Sequence, residues 1–394
     1  MKVTGMNRTT EQRNLLRIYS IDKKENGICL QICSNKTEEK IEEGQKKGDS
    51  DMAEFDYEVV NGRKIRVRPV ETVSEVDENG YFHRQPNHFT KGFGPGENPV
   101  EKGRYRLVWA KLCHWSNRAS IVRELLGLED VISVNMVEHA PHEKNLGWEF
   151  VYDENNTDPV LNIQFLSEAY YKADDDYTGR TTVPALIDVQ TGKVVNNDYN
   201  RLTNYFEVNF REFHGENAPD LYPEELREEI DKLNIWLFHN VNNGVYKTAF
   251  ARSKEAFWDA YNAFYAALDI LEERLGHQRF LFGDYVTDSD VRLYVTLARL
   301  DIRYAFQLGH TKQRLIDYKN LWGYARDLYQ IPAFKNNTYF KDFANPSNKK
   351  AGHLMETFNA RFLDEINFDA YWGAPADRAH LSSDPGNKFK IGKR

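Results

Sequence analysis

Cysteine is scarce in this chain, whose 394 residues contain only three, at positions 29, 33 and 113. So few thiols cannot form the disulfide framework of a small secreted protein. Long apolar runs are also missing: no stretch approaches the roughly 18 residues of a membrane span. The N-terminus lacks the continuous apolar core of a signal peptide. We therefore expect a cytoplasmic protein with no membrane partner.

An excess of positive charge is absent as well. Lysine and arginine number 52 against 60 aspartates and glutamates, which gives a formal net charge of −8. A chain without an overall basic field is a poor match for nucleic acid as its main partner. Hydrophobic residues make up 41% of the chain, which is long enough for two domains that each bury a core. We expect two such domains.

Residues 1–54 are poor in apolar side chains, most clearly in the stretch NKTEEKIEEGQKKGDSD. Such a composition does not offset the entropy lost on ordering, so we predict a disordered extension. Cys29 and Cys33 lie in it without a nearby histidine or further cysteine, so we expect no metal site there. Globular patterning resumes near Met52, which raises the hypothesis that the protein starts there.

Residues 55–210 alternate between strand-like and helix-like spacing of apolar side chains. The predicted elements are strand 105–111, helix 116–128, strand 131–137, helix 162–173, strand 181–188, strand 191–195 and helix 196–206. Asn197 or Asp198 is expected to cap the last helix. The order β-α-β-α-β-β-α is that of a thioredoxin-like domain, so we predict an α/β fold for this half of the chain.

Residues 211–340 carry apolar stripes of helical period, as in SKEAFWDAYNAFYAALDILEERLG, and predict an all-helical domain. Thr287 and Asp290 have the spacing of a capping box at the start of one of these helices. Residues 341–394 are polar and rich in turn-forming residues, so we expect an irregular C-terminal segment.

Cys113 falls between the first predicted strand and its helix, where the free amides of a helix N-terminus favour a thiolate. His114 and Arg118 are expected to stabilise that anion further. A dithiol pair would need a cysteine at the position of Ser116, so the predicted chemistry uses one thiol and an external thiol that regenerates it. A buried, unreactive cysteine is the alternative interpretation.

Several motifs together resemble the glutathionyl-hydroquinone reductases, which are the Xi class of glutathione transferases. The resemblance covers about residues 80 to 335. Its motifs are CHWSNR, where the family has CPWAHR, together with YTGRTTVPAL, VNNDY, DLYP, VNNGVYK and NLWGYARDLYQIP. The resemblance implies a dimer of subunits that each join a thioredoxin-like domain to an all-helical glutathione-transferase domain. It also implies reductive removal of glutathione from glutathionyl-hydroquinones, with glutathione as co-substrate and no metal.

The same resemblance assigns roles to individual residues. Cys113 matches the catalytic nucleophile, and Arg180 and Val183 match positions that contact glutathione, where a cis proline after Val183 would present its backbone to a peptide-like thiol. Tyr246 matches a tyrosine that lines the hydroquinone site, where its hydroxyl can bond a departing phenolate. The family's histidine-tyrosine-tyrosine stretch is missing beyond residue 332, so Tyr304 is only a candidate for the second catalytic tyrosine.

Two departures fall on the expected thiol pocket. Asp198 and Tyr199 stand where the family has glutamate and serine to hold the γ-glutamyl end. The acid is one methylene shorter and a ring replaces a small hydroxyl, so glutathione is expected to bind more weakly, or another thiol to be preferred. The family tryptophan that covers glutathione has no tryptophan counterpart here, and Phe93 is the nearest aromatic residue.

Three functions are consistent with these observations. The leading one is a thiol-dependent reductase that acts on glutathionylated aromatic substrates through Cys113. A conjugating glutathione transferase would need a hydroxyl that activates the thiol, for which Ser116 is available. A non-catalytic binding protein would have kept the fold and lost thiol affinity. Retention on immobilised glutathione separates the binder from the enzymes, and a Cys113→Ser variant separates the two enzymes.

Overall fold

The computed structural model describes residues 56–67, 74–139, 146–309, 312–344 and 365–392. The predicted extension, residues 1–54 with its two cysteines and Met52, lies outside these ranges. Cys113 is the free cysteine within them, and it is buried. None of the helices in the described ranges has the length and apolar character that a membrane crossing requires.

The elements of the structure are numbered here in chain order. The strands are β1 (Tyr57–Val60), β2 (Arg63–Arg66), β3 (Tyr105–Trp109), β4 (Ile132–Met136), β5 (Glu138–His139), β6 (Trp148–Glu149), β7 (Ala185–Asp188) and β8 (Lys193–Asn196). The helices are α1 (His114–Leu125), α2 (Leu166–Ala173), α3 (Leu202–Val208), α4 (Arg227–Leu237), α5 (Gly244–Phe250), α6 (Lys254–Leu275), α7 (Asp288–Arg299), α8 (Ala305–Gln307), α9 (Lys319–Tyr329), α10 (Pro332–Asn336), α11 (Phe340–Ala344) and α12 (Phe368–Trp372).

A four-stranded sheet with the order β4-β3-β7-β8 forms the centre of the first half. Strand β3 runs parallel to β4 and antiparallel to β7, which is itself antiparallel to β8. Alternate residues of β3 enter different cores: Leu107 packs with residues of α1 and α3, and Val108 packs with residues of α2. The predicted thioredoxin-like order of strands and helices is confirmed.

The start of α3 differs from the prediction. The helix begins at Leu202 and Arg201 is its N-cap residue, so neither Asn197 nor Asp198 caps it. Strand β8 continues to Asn196, and the chain must turn before a helix can start. Asp198 stabilises that turn, since its Oδ1 accepts hydrogen bonds from the backbone amides of Asn200 and Arg201 at 2.9 and 3.3 Å.

The second half is helical, as predicted, and shares one continuous apolar core with α1 and α3. The capping box at the start of α7 is confirmed, because the Thr287 amide donates to Asp290 Oδ2 at 2.8 Å. A π-helical turn, Phe238–Asn242, separates α4 from α5. The ring of Phe238 in this turn lies 5.6 Å from that of Trp115, a residue of the cavity described below.

The C-terminal segment predicted as irregular has few regular elements but packs on the helical domain. Residues 365–392 contain the short helix α12, whose Trp372 is buried in the main core. Arg378 Nη2 donates to the Leu275 carbonyl at the end of α6 at 2.7 Å. The segment therefore covers the far end of the helical domain and takes no part in the cavity around Cys113.

Candidate active site

Cys113 occupies the N-cap position of α1, with an extended backbone (φ −84°, ψ 114°). Its side chain is 8% exposed, and its Sγ lies 3.7 Å from the carbonyl oxygen of Val183. The Val183-Pro184 peptide bond is cis, as the sequence comparison implied. The thiol is thus held between the amide end of a helix and the loop that enters β7.

A cavity of about 270 Å³ opens beside the thiol, between the two domains. Its lining includes Arg84, Gln85, Leu112, Cys113, Trp115, Trp148, Ser167, Arg180, Val183, Tyr199, Tyr246, Phe250 and Arg303. Five of the residues predicted from the sequence are in this set, and two, Asp198 and Tyr304, are not. A cleft with aromatic walls and a few convergent polar groups is the usual form of a small-molecule site.

Arg180 lines the cavity and is already paired with an acidic residue. Its Nη2 forms a salt bridge with Glu75 at 2.7 Å, with the Arg180 side chain 39% exposed. Its Nε is buried and has no hydrogen-bond partner among the described residues. Gln85 fixes the backbone here, because its Oε1 accepts from the Arg180 amide at 2.9 Å.

The two predicted tyrosines occupy different depths. Tyr246 lines the cavity on α5, and burial of its hydroxyl together with the charge of Cys113 raises its pKa above the usual value. Tyr304 lies behind it, 1% exposed, with the two ring centroids 6.3 Å apart. Burial also raises the pKa of Tyr304, well above its usual value, so both phenols hold their protons at neutral pH.

The expectation that a cationic His114 stabilises the thiolate is wrong. His114 is fully buried, and burial followed by the charges of Arg299 and Arg118 lowers its pKa well below the usual value. The imidazole is therefore neutral at neutral pH. Burial lowers the pKa of Arg118 only to about 9, so this residue stays a cation near the thiol.

Arg84 is a residue of the cavity that the sequence did not indicate. Its guanidinium carbon lies 4.6 Å from the centre of the Trp115 ring and 4.5 Å from that of Tyr246. Its Nε donates to Asn243 Oδ1 at 2.8 Å, and its Nη2 is buried without a partner in the described part of the chain. A cation with an unused donor at the cavity wall is suited to an anionic or phenolic group of a ligand.

Comparison with known proteins identifies the family. Residues 225–327 match the glutathione S-transferase C-terminal domain family. The glutathionyl-hydroquinone reductase YqjG of Escherichia coli is 38% identical over 254 residues, which are 64% of this chain and 76% of the relative. The glutathionyl-hydroquinone reductase PcpF of Sphingobium chlorophenolicum is 36% identical over 243 residues, 61% of this chain and 76% of the relative.

Solved structures agree with this result. The glutathione transferase Xi of Phanerochaete chrysosporium aligns with a TM-score of 0.64 at 37% identity, over 68% of this chain and 88% of that one. The glutathione-bound structure of E. coli YqjG aligns with a TM-score of 0.64 at 34% identity, over 76% of this chain and 97% of that one. The chain belongs to the glutathionyl-hydroquinone reductases, the Xi class of glutathione transferases. It is a member of a family of enzymes.

The two altered positions of the expected thiol pocket, Asp198 and Tyr199, have the following contacts in this chain. Asp198 Oδ1 also accepts from Asn87 Nδ2 at 2.8 Å, which leaves its Oδ2 without a partner among the described residues. The ring of Tyr199 packs 4.8 Å from that of Trp115, and the backbone carbonyl of Tyr199 accepts from Arg118 Nη2 at 2.8 Å. Tyr199 therefore fills cavity space beside Trp115.

Two other residues considered as functional are structural. Ser116 is fully buried, and its Oγ donates to the carbonyls of Ala110 and Cys113 and accepts from the Ala110 amide, at 3.2–3.3 Å. Phe93 is 4% exposed in the main core, with its ring 5.4 Å from that of Tyr105, and does not line the cavity. Ser116 is thus poorly placed to activate a thiol, and Phe93 to cover glutathione.

Restoring the family's residues at the two altered pocket positions is expected to raise the affinity for glutathione. The double substitution Asp198→Glu with Tyr199→Ser is expected to tighten glutathione binding about tenfold, measured by calorimetry, since an ion-pair hydrogen bond contributes about 1.5–3 kcal/mol. The longer acid reaches further into the cavity, and loss of the ring opens space beside Trp115. Tyr199→Phe keeps the ring and is the control, expected to leave affinity unchanged. Equal affinities for all three proteins would show that the pocket uses other groups.

Proposed function

We propose that this enzyme removes glutathione reductively from glutathionylated hydroquinones, with Cys113 as nucleophile and glutathione as co-substrate. The observation that carries this proposal is the position of the Cys113 thiol, at a helix N-terminus and on the wall of a cavity between the domains. Cys113 lies 3.7 Å from the carbonyl oxygen of Val183, whose peptide bond to Pro184 is cis. A glutathionyl group aligned along this backbone would bring its sulfur to the thiol.

In the first step the Cys113 thiolate attacks the glutathionyl sulfur. A sulfur–sulfur bond forms, the carbon–sulfur bond breaks, and its electron pair passes to the ring carbon of the hydroquinone. That carbon needs a proton. Tyr246 supplies it in our proposal, because this residue lines the cavity and its raised pKa keeps it protonated at neutral pH.

In the second step a second glutathione regenerates the enzyme. Its thiol gives a proton back to Tyr246, and its sulfur attacks the glutathionyl sulfur of the mixed disulfide. Glutathione disulfide and the Cys113 thiolate result. The sum converts one thioether and one thiol into hydroquinone and disulfide, so the aromatic ring is reduced and the two glutathionyl sulfurs are oxidised.

The other groups of the cavity bind the two halves of the substrate. The partly exposed guanidinium of Arg180, which lines the cavity, suits a carboxylate of glutathione. Asp198 is outside the lining but adjacent to Tyr199, which lines it, and its carboxylate suits the γ-glutamyl ammonium. Trp115 and Phe250 provide apolar walls for the aromatic half, and Arg84 offers its unused donor to a phenolic oxygen. The homodimer and the cytoplasmic location remain predictions from the sequence.

One experiment tests the proposal directly. The reduced full-length enzyme is mixed with one equivalent of 2-glutathionyl-hydroquinone without free glutathione, and its products are analysed by mass spectrometry. We expect one glutathionyl group on Cys113 and one equivalent of free hydroquinone. Added glutathione should then release the adduct as glutathione disulfide. Recovery of unmodified Cys113 with intact substrate would contradict the proposal. In a separate assay, conjugation of glutathione to an electrophilic aromatic substrate would support the conjugating alternative.

A further inference from the structure

His114 stands where the family motif has proline, and its ring makes contacts that proline cannot make. It is the first residue of α1 and fully buried. Its Nδ1 lies 2.8 Å from the hydroxyl oxygen of Tyr304 and 3.3 Å from Oγ1 of Thr296. Its Nε2 is buried and has no hydrogen-bond partner among the described residues.

The aromatic surroundings of the ring favour one of its two neutral tautomers. Tyr304 is protonated and His114 is neutral at neutral pH, and in this tautomer the hydroxyl of Tyr304 donates to Nδ1. The imidazole proton is then on Nε2, and the centre of the imidazole ring lies 4.3 and 5.3 Å from the ring centres of Trp115 and Tyr246. An N–H group buried against aromatic rings costs less free energy than a buried lone pair would in the same place.

The hydrogen bond to His114 determines whether Tyr304 can donate a hydrogen bond to Tyr246. Tyr304 has one proton, and a hydrogen bond from it to the Tyr246 phenolate lowers the pKa of Tyr246. While His114 accepts that proton, Tyr304 presents only its oxygen to its neighbour. The phenolate of Tyr246 then lacks a donor, and Tyr246 keeps its own proton to higher pH.

We infer that His114 is a positioning residue for the proposed reaction: by accepting the proton of Tyr304 it holds the tyrosine pair so that Tyr246 remains a proton donor at the cavity wall. The inference rests on the proposed function for its kinetic consequence only. The histidine acts through Tyr304 and does not line the cavity.

Five charged or titratable groups surround His114, Tyr304 and Tyr246. Those that face His114 or the tyrosine pair are Cys113, Arg84, Arg118, Arg299 and Arg303. The four arginines act on His114 in the direction that keeps it neutral. Cys113 is unchanged in every variant below, so differences between variants report on the tyrosine pair.

Two substitutions separate this role from packing. His114→Phe keeps the ring volume but has no acceptor, and His114→Asn is smaller but places Oδ1 near the position of Nδ1. We expect His114→Phe to move the alkaline limb of the kcat profile to lower pH, which lowers kcat about tenfold at a pH on that limb, with KM changed less than twofold. His114→Asn should retain most of kcat and the wild-type limb. A packing role predicts the reverse order, and that order would overturn the inference.

A second measurement does not depend on activity. In 15N-histidine NMR of the unligated full-length enzyme, His114 should be neutral with Nδ1 unprotonated, and Tyr304→Phe should shift the Nδ1 resonance. His214, which bonds the Phe206 carbonyl through Nε2 at 2.9 Å, should be unaffected and serves as control. A protonated His114 Nδ1, or one insensitive to Tyr304→Phe, would overturn the inference. If the wild type shows this signature but no turnover, only the proposed function fails.

Discussion

Cys113→Ser is expected to lower kcat for glutathionyl-hydroquinone reduction by roughly 10³-fold or more, because a serine hydroxyl is a far weaker nucleophile than a thiolate at neutral pH. Glutathione binding should change by less than about fivefold, since neutral hydrogen-bond changes at one atom contribute about 1 kcal/mol or less. The thiol itself makes one contact to the binding loop, 3.7 Å from the Val183 carbonyl. Steady-state kinetics and calorimetry on the same preparation check both parts.

The matched control is Ser116→Ala, one turn along the same helix. Its hydroxyl bonds only the surrounding backbone, so we expect reductase activity within a few-fold of wild type in protein that remains folded. The two variants also separate the competing functions. Thiol transfer that survives Cys113→Ser but not Ser116→Ala would favour a conjugating transferase. Failure of the wild type to be retained on immobilised glutathione, together with no turnover, would favour the non-catalytic binding protein.

Much of this site follows from local patterns of sequence. A β-rich run, a cysteine and an amphipathic helix place Cys113 at a helix N-terminus, and Pro184 marks the loop that faces it. The Thr287 and Asp290 spacing likewise predicts its capping box, because every partner lies within one helical turn. Features that depend on a few neighbouring residues are therefore predictable from the sequence.

The rest depends on contacts between distant segments. The charge state of His114 is set by Arg299, 185 positions away, and by burial that no local pattern reports. Arg84 meets Asn243 across 159 positions, so nothing in the stretch FHRQ indicates a place at the cavity. The sequence position of Phe93 suggests a residue that covers glutathione, but its ring packs against Tyr105 in the core.

The joint between the two domains depends on a buried ion pair. Asp288 is fully buried, and its Oδ2 accepts from Arg292 Nε at 2.6 Å and from Asn234 Nδ2 at 2.9 Å. Arg292 Nη2 also crosses to the thioredoxin-like domain, where it donates to the Asn200 carbonyl at 2.7 Å. The buried carboxyl of Glu207 lies close by, and burial together with the charge of Asp288 raises its pKa well above the usual value.

Arg292→Met is therefore expected to lower the free energy of unfolding by about 3–5 kcal/mol, since it leaves the Asp288 charge buried without its partner. Urea unfolding monitored by tryptophan fluorescence measures this. Arg201→Met breaks an exposed pair with Asp231 and should change stability by less than about 1 kcal/mol. Adding Asp288→Asn to Arg292→Met removes the orphaned charge and should recover part of the loss. A loss as small as that of Arg201→Met would mean that Asp288 takes up a proton, as Glu207 does, and that the domain joint does not depend on this charge.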